Sequence, residues 1–267
     1  MQRVVSTGSR LAAVLALGLL GMADCALALA GGPPFGGPGD ALLVIDVQRC
    51  FLPGGSLPVP DGQAVVPVIN RLAPHFKHVV LTQDWHPADH VSFASSHPGR
   101  PLFGVVTMPY GAQMLWPDHC LQGSADAELA PGLAVPNATL ILRKGSTPTM
   151  DSYSALFEAD GTTPTGLHAW LEAKQIKRLV LVGLAIDYCV LATALDARKL
   201  GYAVVVVEDA TRGIDQAGSV LRAWSAMRNQ GVQSLSSMQM GFAAGATQLA
   251  RPKATSLQIS PSRANTY

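Results

Sequence analysis

The stretch RLVLVGLAIDYCVLATALDARKLGYAVVVVED, residues 178–209, decides the fold. It opens on an apolar run at 178–184, turns through GLAIDYC, continues as a helix-like segment at 189–201 and closes on the valines of 203–209. In both runs the β-branched residues are continuous instead of alternating, the pattern of strands buried on two faces. Gly201 stands where a helix C-cap is expected. Strand, helix and strand in that order form a crossover unit, which pairs its strands in parallel.

The pattern extends in both directions. Apolar runs recur at 41–46 (ALLVID), 78–84 (HVVLTQD), 138–144 (ATLILRK) and, more weakly, 231–237 (GVQSLSS). Helix-like segments lie at 63–76, 165–176 and 216–231, the last ending on Gly231 at another expected C-cap. This alternation predicts a three-layer α/β/α sandwich around a doubly wound, mainly parallel six-stranded sheet whose core strands are fully buried. Residues 85–137, rich in Pro, Gly, His and Trp, break the alternation and read as a long irregular segment kept for function or as a lid.

The ends of the chain have a different character. Arg3 and Arg10 precede the apolar run LAAVLALGLLGM, and an A-x-A-like site follows at Ala28 to Ala30, so residues 1–30 read as a secretory signal peptide. The run is shorter than the roughly 20 residues of a membrane span. A mature chain starting near Gly31, periplasmic or secreted and without a stable membrane span, is the expectation. Residues 31–40 read as a Gly/Pro linker, 41–240 as the folded domain and 241–267 as a disordered tail. Charged residues make up 14% and the net charge is +1, which offers no field for nucleic acid and suits a small neutral ligand.

Past the signal, Cys50, Cys120 and Cys189 remain, an odd number for an oxidising compartment. Their spacing matches no C-x-x-C pattern, so no cysteine is expected at a metal. Ligands of an open parallel sheet bind at the carboxyl ends of its strands. Asp46, then Asp84 and His86, then Lys144 stand at three such ends, and Cys189 lies in the first helical turn after a fourth. A thiol at a helix N-terminus is activated by the macrodipole, and the free N–H groups there can hold an oxyanion. In company with an acid and a lysine, Cys189 becomes a nucleophile candidate instead of a packed core cysteine.

DWHPADH, residues 84–90, pairs His86 with His90 at a helical spacing, but Pro87 disfavours a helix. Asp84 and His86, two apart on one strand end, share a face. His119 in LWPDHC is the candidate for a third ligand. One carboxylate with two or three imidazoles suits one divalent ion, zinc first, iron or manganese as alternatives, and histidines hydrogen-bonded within a turn are the equal alternative to a metal.

LLVIDVQ, DWHPADHVSFASSH, LWPDHC, RKG, DSYSALF and VGLAIDYCVLATALDARKLGYAVVVVEDATRGI together resemble bacterial nicotinamidases (pyrazinamidases) of the isochorismatase-like cysteine hydrolase superfamily, over roughly residues 41–238. The resemblance implies a hydrolase that converts nicotinamide or pyrazinamide to the acid and ammonia through a thioester. It implies a catalytic triad of Asp46, Lys144 and Cys189, and metal ligands Asp84, His86 and His119 that hold the ring nitrogen of a pyridine carboxamide. His90 matches a further ligand of some members. It also implies a cis peptide between Leu184 and Ala185, an oxyanion hole from the N–H groups of Ala185 and Cys189, and aromatic walls at Phe51, Trp116 and Tyr153. The alternatives are another amidase of the superfamily acting on ureido or carbamoyl compounds, whose members generally lack the metal set, and a non-catalytic periplasmic pyridine-binding protein. A Cys50–Cys120 disulfide would leave Cys189 free, although sequence does not give the connectivity, and a homo-oligomer is left open.

Overall fold

The structure, a computed structural model, describes residues 35–242. The expected signal peptide at 1–30, the linker residues 31–34 and the tail beyond 242 lie outside the described residues. Among those described, no helix is long and apolar enough to cross a membrane.

Six strands form the main sheet: β1 (Asp40–Ile45), β2 (His78–Asp84), β5 (Leu140–Lys144), β6 (Arg178–Gly183), β7 (Ala203–Thr211) and β8 (Gln233–Leu235). Their order is β5-β2-β1-β6-β7-β8, and every pair is parallel. The chain therefore winds outward through β1, β2 and β5, returns, and winds the other way through β6, β7 and β8. The reversal leaves a crevice between the carboxyl ends of β1 and β6, where such sheets bind ligands.

The pleat explains the layers. Leu42, Val44, Val180, Val182, Val205 and Val207 face one side, where α1 (Val65–Leu72) packs through Val65, Val68 and Ile69. Leu43, Ile45, Leu179, Leu181, Val204 and Val206 face the other, covered by α2 (Leu167–Ala173), α3 (Leu191–Lys199) and α4 (Ser219–Asn229) through Leu171, Ala194, Ala197 and Met227. Gly201 and Gly231 follow α3 and α4 with φ of 87° and 72°, the left-handed closure read from sequence.

Three sequence expectations are corrected. Residues 138–144 were expected as a buried strand, but β5 is an edge strand with Ile141 52% exposed. A continuous apolar run has the same appearance wherever the sheet places it. The segment 85–137 is not wholly irregular: β3 (Val105–Met108) and β4 (Gly111–Met114) form an antiparallel hairpin, short and mostly exposed, with too little burial to leave an apolar pattern. The ordered fold also begins inside the linker reading. Asp40 starts β1, receives the N–H groups of Gly36 and Gly37, and pairs with Arg178 at 2.6 Å.

At the amino end of the sheet, Phe242 stacks on His75 with centroids 4.3 Å apart, and Phe35 meets Phe242 edge-on at 6.5 Å. The Arg178 guanidinium lies 4.3 Å from the Phe35 ring centre.

Candidate active site

The site is built on neighbouring strand ends. Val44 of β1 pairs with Leu81 of β2, so the residue just past β1 lies beside Thr82. Asp46 leaves β1 with φ of 47°, donates its N–H to Thr82 Oγ1 at 3.0 Å, and accepts the Thr82 hydroxyl on Oδ1 at 2.5 Å. Gln48 locks the same two ends together. Its Oε1 accepts the Asp84 N–H, and its Nε2 donates to the Asp84 carbonyl, each at 2.8 Å.

Lys144 arrives from β5, paired with Asp84, and is buried to within 1% of its surface. A buried ammonium is costly unless its protons are taken up. Lys144 Nζ donates to Asp84 Oδ1 and to the Ser152 carbonyl at 2.9 Å, and lies 2.9 Å from Asp46 Oδ2 and 3.4 Å from Cys189 Sγ. Burial alone would lower its pKa, yet Asp46 and Asp84 hold it well above the usual value. The Asp46 Oδ2 contact is an ion pair without good hydrogen-bond geometry, which leaves that oxygen as an open buried acceptor.

Cys189 sits in a single π-helical turn, Ile186–Val190, that leads into α3. The turn follows a cis peptide between Leu184 and Ala185, as the resemblance implied. Tyr188 and Val190 donate to the Ala185 carbonyl and Ile186 to the Arg212 carbonyl; in these bonds the N–H groups of Ala185 and Cys189 take no part. Cys189 differs from expectation in one respect. Burial pushes its thiol well above the ordinary value, and Lys144 offsets only part of this. Burial here outweighs the helix terminus, so the thiol keeps its proton until a base takes it. Asp46 is that neighbour, and burial pushes its own carboxyl above the usual range against the pull of Lys144 and Thr82.

Opposite the thiol, Asp84 Oδ2 lies 3.6 Å from His86 Nε2 and 3.8 Å from His119 Nε2. The Nδ1 atoms of the two rings lie 2.8 Å from the carbonyls of Gly145 and Pro117 respectively. A carbonyl only accepts, so each Nδ1 carries the proton and each Nε2 presents a lone pair. A carboxylate oxygen not used by Lys144, converging with two such lone pairs, is a donor set that fits a divalent metal. Burial pushes the Asp84 carboxyl up, but Lys144 and His86 together hold it well below the usual range. The His90 ring lies against that of His86, tilted by 36° with centroids 4.2 Å apart, yet both of its nitrogens are engaged, Nδ1 with Ser92 Oγ at 2.7 Å and Nε2 with the Met150 carbonyl at 3.2 Å.

The pocket between the two halves is walled by Phe51, Trp116 and Tyr153, with Tyr188, Leu57 and Ile214. Trp116 Nε1 donates to Tyr153 Oη at 2.8 Å, and Phe51 meets His119 edge-on at 5.8 Å. Cys50 and Cys120 form a disulfide, and Cys189 is a free thiol.

All the residues read from sequence as a triad, metal ligands and walls thus come together. Thr82, Gln48 and Asp151 were not singled out. Thr82 is a polar residue inside a buried apolar strand, and Gln48 follows Asp46 by two; either was a readable signal. Asp151 lines the pocket, accepting from Gln113 Nε2 and its neighbour's N–H at 2.8 Å each, and only the fold brings Gln113 to it.

Known proteins share this chain's sequence and fold. The family model described as the isochorismatase domain matches residues 40–239. A nicotinamidase of Acinetobacter baylyi is 49% identical over 197 residues, 74% of this chain and 92% of the relative. A solved nicotinamidase/pyrazinamidase of Acinetobacter baumannii superposes with a TM-score of 0.76 at 50% identity, covering 76% of this chain and 99% of that one. The Pyrococcus horikoshii pyrazinamidase, solved in complex with zinc, does so with a TM-score of 0.61 at 34% identity, covering 74% and 99%. This chain belongs to the isochorismatase family and, within it, to the nicotinamidases.

Proposed function

We propose that the protein is an amidohydrolase that converts nicotinamide, and pyrazinamide, to the carboxylic acid and ammonia. The observation that carries this is the meeting of Asp46, Lys144 and Cys189 with Asp84, His86 and His119 around one aromatic-walled pocket. A flat neutral amide offers little to grip beyond two ring faces and the ring nitrogen, and the pocket answers both.

Asp84, His86 and His119 would hold one divalent ion, zinc by the relative solved with it, which supplies a Lewis acid that orients the ring nitrogen. Phe51, Trp116 and Tyr153 bind the ring. Asp46 Oδ2 takes the Cys189 proton, and Sγ attacks the carboxamide carbon, pushing the carbonyl electrons onto oxygen. The N–H groups of Ala185 and Cys189 stabilise that oxyanion, each worth about 3 kcal/mol in such sites. Asp46 returns the proton to nitrogen, the C–N bond breaks and ammonia leaves. A water that gives its proton to Asp46 then attacks the thioester carbonyl, the C–S bond breaks to release the acid, and Asp46 returns the proton to Sγ, restoring the thiol. Lys144 holds Asp46 and the sulfur anionic when each must be.

Purified protein supplied with zinc is expected to release ammonia from nicotinamide, and Cys189→Ala to release none. Full release by Cys189→Ala rejects the nucleophile; none by zinc-loaded wild type rejects the amidase. The Cys50–Cys120 disulfide supports work in an oxidising compartment, in keeping with the signal expected at 1–30, and a mature N-terminus near Gly31 in protein recovered from a periplasm is the check.

A further inference from the structure

Substrate and product of the proposed reaction have almost the same shape and differ in charge, because a neutral carboxamide becomes a carboxylate in the same pocket. A fixed charge buried there would tell the two apart. Asp151 is such a group. It lines the pocket with Asp84, His86 and Cys189, and only 2% of its surface is exposed. One of its oxygens accepts the Ser152 N–H and the other the Gln113 amide, each at 2.8 Å. Both donors are neutral, and the Lys144 ammonium goes to Asp46 and Asp84 instead. Burying a carboxylate without a cation is costly, and an asparagine facing a turned-over Gln113 amide could make the same two hydrogen bonds. The hydrogen bonds therefore do not account for the charge. Its field reaches the walls: burial, then Asp151, pushes the Tyr153 phenol well above the usual range. A carboxylate oxygen of Asp151 also lies within 4.8 Å of ring nitrogens of His86 and His90.

We propose that Asp151 is a specificity-determining residue whose charge makes the pocket prefer the neutral amide and release the anionic acid. The inference rests on the amidase reading, with Asp84, His86 and His119 holding a divalent ion. Counted as ions, Asp46, Asp84 and Asp151 are then matched charge for charge by Lys144 and that ion, and the loaded site is neutral. Without Asp151 it would carry one positive charge in excess, which holds an anion. Selectivity built on a repulsive element acts against the unwanted ligand and leaves the wanted one alone. One unit charge across a small buried pocket changes the binding of an anion by about tenfold at the effective dielectric of such sites. Gln113 keeps that charge in place from the β3–β4 hairpin. It is buried to within 1% of its surface, and its Nε2 also donates to the Met114 carbonyl at 2.7 Å.

The test compares nicotinamide with nicotinate, each titrated calorimetrically at neutral pH into zinc-loaded Cys189→Ala protein, which cannot turn the amide over. Adding Asp151→Asn keeps the shape of the side chain and removes its charge. Nicotinate binding is then expected to tighten about tenfold relative to nicotinamide binding. Gln113→Leu removes the hydrogen bond but keeps the charge, and is expected to change both affinities together. If Asp151→Asn does not fold, Asp151→Ser, whose hydroxyl can still accept the Ser152 N–H, gives the same reading. A ratio of the two affinities that loss of the charge leaves unchanged, or moves toward nicotinamide, overturns the proposal and leaves the amidase intact. A ratio moved as far by Gln113→Leu as by Asp151→Asn assigns the effect to packing and overturns it as well. Failure of both ligands to bind zinc-loaded Cys189→Ala rejects the pocket reading and the proposal with it.

Discussion

Lys144 donates to one oxygen of Asp84 while the other oxygen of that carboxylate faces His86 and His119, so a single ammonium joins the thiol half of the site to the imidazole half. The two halves come from different strands and share this one buried cation.

Lys144→Met leaves two buried carboxylates without their partner. Breaking a buried pair from one side costs about 3–5 kcal/mol, and losing the charge that holds Asp46 and the sulfur anionic costs about 100-fold or more in rate. Urea unfolding and the ammonia assay are expected to fall together. An unchanged urea midpoint would show that the ion pair carries no structural load.

Thr82→Val removes the hydroxyl that donates to Asp46 Oδ1. That bond favours the carboxylate, so its loss raises the Asp46 pKa further in the direction burial already drives it. The ionised form is the base, and the acid limb of kcat/KM moves to higher pH. At the acid end the variant is expected to lose about tenfold, the equivalent of about 1.5 kcal/mol for a hydrogen bond to a charged group. An acid limb that stays in place would remove Asp46 from the role of base.

Gly145→Ala strikes the metal half. Gly145 has φ of 64°, and a Cβ there would lie 2.4 Å from His86 Cε1 and 2.7 Å from its Nδ1, the nitrogen that the Gly145 carbonyl orients. Displacing a ligand's orienting partner typically weakens metal binding about 10–100-fold. Chelator competition with zinc is the measurement, with saturating zinc expected to recover part of the activity.

His90 shapes the acid stability of the metal-free protein. Burial, then His86, pulls its pKa down to about 4, whereas the unfolded chain has the ordinary value of 6.5. Between these two values the unfolded state binds the extra proton, so stability falls as pH drops through that window, by as much as about 3 kcal/mol. His90→Gln, which cannot titrate, is expected to flatten this part of the urea-midpoint profile relative to wild type. Parallel profiles would place the imidazole in solvent.

The sheet was legible because its central strands, β1, β2, β6 and β7, are apolar without alternation, and because Gly201 and Gly231 mark where helices stop. Edge placement of β5 was not legible, since position in a sheet is a long-range property. The site residues were legible at strand ends, where Asp46, Asp84 and Lys144 interrupt apolar runs. The fate of the Cys189 thiol was not. A helix start is visible in sequence, but the desolvation that overrides it depends on walls contributed by Phe51, Trp116 and Tyr153 from distant segments. The Gln113 contact with Asp151 was hidden for the same reason, being made by a hairpin too short to announce itself.

The aromatic contact of Phe35 with Phe242 brings the two ends of the described chain to the amino edge of the sheet, while the pocket opens at the carboxyl edge. A support or fusion partner coupled directly at residue 35 or 242, with the residues beyond removed, therefore holds the enzyme with its pocket turned toward bulk solution. Bridging residues 35 and 242 of a chain trimmed to them with a short linker, and cutting it in an exposed loop, would give a permuted enzyme whose new termini can be set beside the pocket at will.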